Sequence, residues 1–300
     1  MGELAAFFVA VCWALTSIFF ATAGKEVTSP VVNRMRLLFA TLLLSATHYF
    51  LTGHLYPFQA TPERFLWLGL SGLIGLVLGD AFLFQAFVQI GARISILIMA
   101  SVPVFSALIA WIFLGETLSL TNVIGIFITV AGIALVVYEH QNGGEENYPK
   151  DKSAYFQGVV FAFLGAVGQA VGLVLQKKGG GGNFPAISSV LIRVSLGAVI
   201  MWAMAMLQKK ANFTLKTTFT NKTGLRFILL GTVVGPFAGI WLSMVAVQAA
   251  YVGIASTLMA LTPIVMLPMS FFFFKEKISK LALLGTFISL VGVATIFLFG

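Results

Sequence analysis

Asp80 is the residue best placed to do chemistry, because it is the one acid deep within a long apolar run of the sequence. It lies about nine residues, or ~14 Å at a helical rise of ~1.5 Å per residue, from the end of that run. A charge at this depth of a membrane is a functional candidate by default. Arg36 lies at a similar depth in the preceding run. Two interpretations stay open: a structural or gating ion pair with Arg36, or a carboxylate that binds and releases a proton.

A second arginine, Arg193, lies in a later apolar run and enters the membrane from the opposite face to Arg36. Either guanidinium could meet an anionic group of a bound molecule, or could reach the membrane surface with its long aliphatic stem. We therefore group Arg36 and Arg193 with Asp80 as candidates for coupling or gating.

Amide and indole side chains form a further group of candidates. Gln85 and Gln169 each share a helical face with another glutamine, and buried amides need hydrogen-bond partners. They act either as hydrogen-bonding contacts between helices or as ligands of a bound molecule. Trp13 and Trp241 lie deeper than the aromatic belts found at membrane surfaces. They line a cavity or fill the packing between helices, and both readings stay open.

Two pairs of proline and methionine recur in the two halves of the sequence. Pro103 and Pro263 lack the N–H that would bond to the carbonyl four residues earlier, on Met99 and Met259 respectively. Each proline either kinks a helix for packing or exposes that carbonyl to a ligand. Methionine suits a pocket for varied apolar ligands because its side chain is flexible and polarizable. These four residues complete the predicted substrate cavity.

The composition identifies the class of protein that holds these residues. Hydrophobic residues make up 59% of the chain and charged residues 9%, with a mean hydropathy of +1.00, whereas an ordinary soluble domain has about 25% charged residues. The formal net charge of +8 is typical of the basic loops that orient membrane proteins, so we expect no nucleic-acid partner. The single cysteine, Cys12, excludes an internal disulfide. We expect no cofactor, no metal site and no catalytic residue.

Ten apolar runs are each long enough to cross a membrane as an α-helix, which needs about 20 apolar residues. They lie at 4–23, 30–51, 65–89, 92–114, 120–138, 154–176, 185–207, 225–249, 252–274 and 280–299. The first run lacks the basic start of a signal peptide, so we expect a retained span. The predicted fold class is an all-α polytopic membrane protein.

The ten runs divide five and five around the most polar stretch of the chain. Residues 65–137 align without a gap on residues 225–297, with 16 identities in 73 pairs. An odd number of spans per repeat inverts the second copy, which predicts two inverted five-helix repeats. We place the first repeat at residues 1–140, a polar linker at 141–152 and the second repeat at 153–300. Inverted repeats around a midplane site are the layout of many secondary transporters.

Each repeated proline is followed by a glutamate at the end of its span and by a glycine early in the next span. These residues are Pro103, Gly115-Glu116 and Gly125 in one half and Pro263, Lys275-Glu276 and Gly285 in the other. With this pattern the chain resembles the EamA-like ten-span carriers of the drug/metabolite transporter superfamily over nearly its whole length. The resemblance implies a secondary transporter that moves small organic metabolites, such as amino acids or related compounds, most simply outward, by alternating access of the two repeats.

Two rival functions stay open beside metabolite export. A proton-coupled exporter of drugs or cations would need an acid that faces the cavity, and Asp80 is the sole candidate. A membrane-embedded enzyme or a receptor is more remote, because no HExxH or Gly-x-Ser-x-Gly pattern organises the histidines. The partners we expect are a small-molecule substrate, the lipid bilayer and, in the first rival, protons as coupling ion. The chain acts as a monomer or a homodimer.

Lysine and arginine are unequally divided between the two sides of the membrane. Fourteen follow odd-numbered spans and four follow even-numbered spans. The positive-inside rule then places both termini outside the cytoplasm, whereas the family resemblance favours termini inside. We expect a multi-pass integral protein of the plasma membrane of a bacterium.

Overall fold

The computed structural model describes residues 2–102, 104–105, 108–109, 112, 119–142, 152–181, 184–249, 259–275 and 278–298. Within these ranges the chain forms α-helices and two π-helical segments, with no strand. The prediction of an all-α fold is confirmed.

Twelve α-helices account for most of the described residues. They are α1 (Gly2–Val27), α2 (Ser29–Thr52), α3 (Pro62–Ser71), α4 (Asp80–Met99), α5 (Leu120–Asn142), α6 (Lys152–Gly180), α7 (Ala186–Leu207), α8 (Ala211–Thr220), α9 (Lys222–Thr232), α10 (Ile240–Ala249), α11 (Thr262–Phe274) and α12 (Lys280–Leu298). The π-helical segments Gly72–Gly79 and Val233–Gly239 join α3 to α4 and α9 to α10, so that each makes one continuous helical path.

Seven helical stretches of the described chain are long and apolar enough to cross a membrane. One of them, Pro62–Met99, contains the third predicted span and the beginning of the fourth. The ninth and tenth predicted spans correspond to the shorter apolar helices Thr262–Phe273 and Lys280–Ile296. Large side chains such as Phe50 and Phe127 are exposed, as is normal on a surface that contacts lipid tails. In the described part of the chain these helices follow the order expected for ten membrane helices in two inverted five-helix repeats.

Gly91 separates the third span from the fourth. Its backbone has φ 78° and ψ 165°, a conformation that is essentially restricted to glycine. The chain therefore changes direction between two helices at this one residue, with no loop in between.

Replacing Gly91 with alanine is expected to destabilise the protein by about 1–3 kcal/mol, because the added Cβ forces a strained backbone. The measurement is the melting temperature of the purified protein in detergent. Gly197→Ala is the matched control, because Gly197 lies in the regular helix α7 and an added Cβ there meets nothing closer than 3.7 Å. Equal melting temperatures for the two variants would contradict the strain at Gly91.

The two repeats interlock through equivalent pairs of helices. The first helix of the second repeat, α6, packs on α4 and on the first π-helical segment, while α1 of the first repeat packs on α9 and on the second π-helical segment. The fifth and tenth spans, α5 and α12, pack on each other. A Cβ added at Gly132 would lie 2.6 Å from the carbonyl oxygen of Gly285, and one added at Gly292 would lie 2.7 Å from that of Gly125. These four glycines let the two backbones touch.

The two π-helical segments occupy equivalent positions in the repeats. Gly75 and Gly79 in the first align with Gly235 and Gly239 in the second at a shift of 160 residues. A π-helical turn moves backbone carbonyls out of the regular α-helical pattern, and such turns occur frequently at functional sites. The internal repeat is thus present in the local backbone as well as in the sequence.

Helix α8 lies in a segment that the sequence analysis treated as a turn between the seventh and eighth spans. Thr214 and Thr218 are buried, while Phe213 and Phe219 are exposed. Arg34 Nη1 donates to Thr214 Oγ1 at 2.9 Å and holds α8 against α2.

At the predicted linker, α5 continues to residue 142, and residues 143–151 lie outside the described part of the chain.

Candidate functional site

A buried ion pair joins the second and third spans. Arg36 Nη2 donates to Asp80 Oδ2, and the two residues are only 4% and 5% exposed. Arg36 Nε also donates to Asn33 Oδ1 at 2.9 Å. The structure therefore places Arg36 and Asp80 in direct contact, as the interpretation of a structural or gating pair requires.

Two aromatic rings enclose the Arg36 guanidinium. Its central carbon lies 4.8 Å from the ring centroid of Phe84 and 5.8 Å from that of Phe20. The faces of aromatic rings attract cations, and apolar surroundings strengthen electrostatic interactions by excluding water. Arg36 is therefore held in a dry environment in which Asp80 is its counter-ion.

The first π-helical segment contributes backbone carbonyls to this site. Asn33 Nδ2 donates to the carbonyl oxygen of Leu76 at 3.2 Å, and Gln169 Nε2 donates to that of Gly75 at 3.2 Å. Buried carbonyls need donors when the helical pattern does not supply them. Side chains from α2 and α6 supply those donors, so the π-helical segment and the buried cluster stabilise each other.

Gln169 brings the second repeat into the site. Its Nε2 donates to Asp80 Oδ1 as well, so both carboxylate oxygens accept hydrogen bonds. Helix α6 comes this close because glycines face each other: a Cβ added at Gly168 would lie 2.7 Å from the Cα of Gly79. Asp80 lies about nine residues, or ~14 Å, before the end of its span. It therefore connects helices of both repeats near the middle of the membrane.

Arg193 reaches the same site from α7. Its Nη1 donates to Gln176 Oε1, and the residue is 4% exposed. A Cβ added at Gly75 would lie 2.7 Å from Nη2, and one added at Gly172 would lie 3.3 Å from it. The Arg193 Nε and Nη2 atoms have no hydrogen-bond partner among the described residues.

The charges of this cluster do not balance. The Arg193 guanidinium interacts electrostatically with both Asp80 and Arg36, but among the described residues no carboxylate lies within 4 Å of it. The position equivalent to Asp80 in the second repeat is Ile240. Among the described residues, two guanidinium groups therefore lie near one carboxylate, and Asp80 pairs with Arg36.

Three predicted cavity residues lie in other contacts. Gln85 Oε1 accepts a hydrogen bond from Ser29 Oγ at 2.8 Å, which makes Gln85 a contact between helices. Trp13 lies beside Gly239, where an added Cβ would be 3.4 Å from its Cδ1. The Trp241 ring packs on Phe237, with the centroids 6.0 Å apart. Both tryptophans thus contact the second π-helical segment or its end.

The methionine and proline pairs are only partly described. Met99 packs against a core cluster, and Met259 packs near Ala246. The carbonyl oxygen of Met259 accepts a hydrogen bond from Thr262 Oγ1 at 2.8 Å. Pro263 lies in the first turn of α11, where proline has no helical hydrogen bond to break. Pro103 lies outside the described residues.

The site also contains a residue that the sequence analysis missed. Asn33 is fully buried and bonds to both Arg36 and the π-helical backbone. Its spacing was an available signal, because residues three apart lie on the same face of a helix.

Comparison with known proteins agrees with this architecture. The chain matches the EamA-like transporter family over residues 1–138 and 156–298, which together span both repeats. Among solved structures 28 chains match, and one titled "Crystal structure of protein" aligns with a TM-score of 0.65 and 16% identity, covering 99% of this chain and 96% of that chain. At that identity the likeness concerns the fold alone. No curated protein matches. The chain belongs to the EamA-like transporter family of the drug/metabolite transporter superfamily.

Proposed function

We propose that the chain is a secondary transporter that exports small organic metabolites, such as amino acids or related compounds, across the plasma membrane of a bacterium. Membership of the family makes it a membrane transporter, and the substrate class and the direction are the proposal. The observation that carries it is the buried cluster in which Asp80 contacts Arg36 of its own repeat and Gln169 of the other. Transporters with inverted repeats hold their substrates near the midplane, where the repeats meet.

The contacts of Asp80 support a gating role. The bond from Gln169 to Asp80 crosses between the repeats, so it must break when α6 and the third span separate. The bond from Arg36 stays within one repeat and holds the carboxylate in place. Because each carboxylate oxygen already accepts a hydrogen bond, a cationic substrate or a coupling proton would compete with Arg36 and Gln169 for Asp80.

Flux in proteoliposomes tests the proposal. Labelled amino acids and organic cations are offered with and without an imposed pH gradient, to the wild type and to the double variant Arg36→Gln/Asp80→Asn. We expect amino acids to move down their own concentration gradient, at a rate that does not depend on the pH gradient. Cells that produce the wild type should lose a preloaded labelled amino acid faster than control cells.

Two results would count against the proposal. Accumulation that requires the pH gradient and disappears in the double variant would identify Asp80 as the proton site of a coupled carrier. Flux of organic cations without flux of amino acids would replace the proposed substrate class with that of a drug or cation exporter.

A further inference from the structure

We propose that Arg193 binds a carboxylate of the transported molecule and thereby selects substrates that carry one. This inference rests on the proposed function and names the chemical group that its substrates share.

The two free donors of Arg193 lie on one edge of its guanidinium. Gln176 accepts a hydrogen bond from Nη1 at the other end of the group. Nε and Nη2, which have no partner in the described part of the chain, together form the side-on edge with two parallel N–H donors. That edge matches the two oxygens of a carboxylate in a bidentate contact.

The charge of the cluster fits a monovalent anion. Arg36 is paired with Asp80, whereas Arg193 is equally buried and, among the described residues, has only an amide oxygen as its hydrogen-bond acceptor. An uncompensated charge in a buried site is unfavourable. Arg36, Arg193 and Asp80 together carry one excess positive charge. One carboxylate would balance it, while a dianionic phosphate would leave one excess negative charge.

This edge of Arg193 lies where the two repeats meet. Nη2 packs against Gly75 of the first repeat and Gly172 of the second, where an added Cβ would lie 2.7 Å and 3.3 Å from it. The two glycines belong to helices that must separate if the repeats move apart. In the present arrangement the edge is closed, and separation of α6 from the third span opens it.

Matched compounds that differ only at the carboxyl group test this assignment. The probes are labelled leucine, leucinamide and isoamylamine, and labelled phenylalanine, phenylalaninamide and phenethylamine, each offered to proteoliposomes of the wild type. We expect the acids to be transported at least about tenfold faster than the amides and the amines, since charge-assisted bidentate bonds are lost without the carboxylate. The acids should also raise the melting temperature of the wild type, whereas the amides should not.

Variants of Arg193 complete the test. Arg193→Gln should lose the preference for acids without a fall in melting temperature, because it removes a charge that no described carboxylate pairs with. Arg193→Lys, which keeps the charge but not the two-donor edge, should keep part of the preference. Arg34→Gln is the control, since Arg34 is a buried arginine bonded to Thr214 outside the cluster.

Four results would overturn the inference. Amides transported as fast as acids would contradict it and leave the proposed transport function intact. A preference for acids that survives in Arg193→Gln would contradict the role of this residue. Flux of none of the six compounds would contradict the proposed function and the inference together. Should Arg193→Gln fail to fold, a structural role is indicated, and equal thermal shifts with acids and amides in the wild type would then reject the carboxylate site.

Discussion

Replacing Asp80 with asparagine is expected to lower the free energy of unfolding by about 3–5 kcal/mol, because Arg36 is left buried without a counter-ion. The nearby charge of Arg193 makes the loss worse, since Asp80 lies between two like charges that would then repel each other without it. The measurement is unfolding by SDS titration in mixed micelles, followed by circular dichroism. This is the largest effect we expect from a single substitution.

Two further variants separate the ion pair from other causes. The double variant Arg36→Gln/Asp80→Asn should be more stable than Asp80→Asn alone, because it leaves no unpaired charge at this position. Glu63→Gln, at an exposed acid of α3, should change stability by less than about 0.5 kcal/mol. If Asp80→Asn were as stable as the wild type, the pair would contribute nothing to the fold.

Replacing Gly132 with alanine is expected to destabilise the protein by about 1–3 kcal/mol through overpacking. The added Cβ would lie 2.4 Å from the backbone nitrogen of Ser289 and 2.6 Å from the carbonyl oxygen of Gly285. A neighbouring backbone cannot rotate away as a side chain does, so α5 and α12 must move apart. The same SDS titration measures the loss.

Gly197→Ala again provides the control for Gly132→Ala. Both glycines are buried in regular helices, but the space beside Gly197 is open to 3.7 Å. Alanine there should be neutral or stabilising, by up to about 1 kcal/mol, because it favours the helix. Similar losses for the two variants would show that α5 and α12 are not in close contact at Gly132.

The fold was largely predictable because the order of residues along the chain is enough to locate its helices and its internal repeat. Continuous apolar runs indicated the helices, and the shift of 160 residues indicated the repeat. Under that shift Gly125 and Gly132 of α5 recur as Gly285 and Gly292 of α12. Glycines on one face of a helix allow a second helix to pack closely against it. Helix α8 was missed because its ten residues form no apolar run and make their main buried contact through Thr214 and Arg34.

The site was predictable only in part. The depths of Arg36 and Asp80 in neighbouring spans were enough to suggest their pairing. The approach of Arg193 to the same carboxylate was not predictable, because the depth of a residue says nothing about how its helix is rotated or which helix it packs on. The π-helical segments were missed for another reason: they differ from an α-helix in hydrogen-bond register, not in the types of residue they contain.

The asymmetry between the repeats is the part of the site that bears most on function. Arg36 and Arg193 lie in the second and seventh spans, which correspond in the two repeats, but Asp80 has Ile240 as its counterpart. One arginine is therefore neutralised by the protein, and the other keeps its charge for a bound anion in the account proposed above. A symmetric pair of acids would have left neither arginine free.

Counterflow in proteoliposomes tests the central claim, transport by alternating access, most directly. Vesicles are preloaded with a high concentration of unlabelled leucine and diluted into a trace of labelled leucine, with protein-free vesicles as the control. An alternating-access carrier returns to the outside loaded with label, so labelled leucine should transiently accumulate inside above its external concentration. Labelled leucine that only equilibrates, whether or not the vesicles were preloaded, would contradict the account.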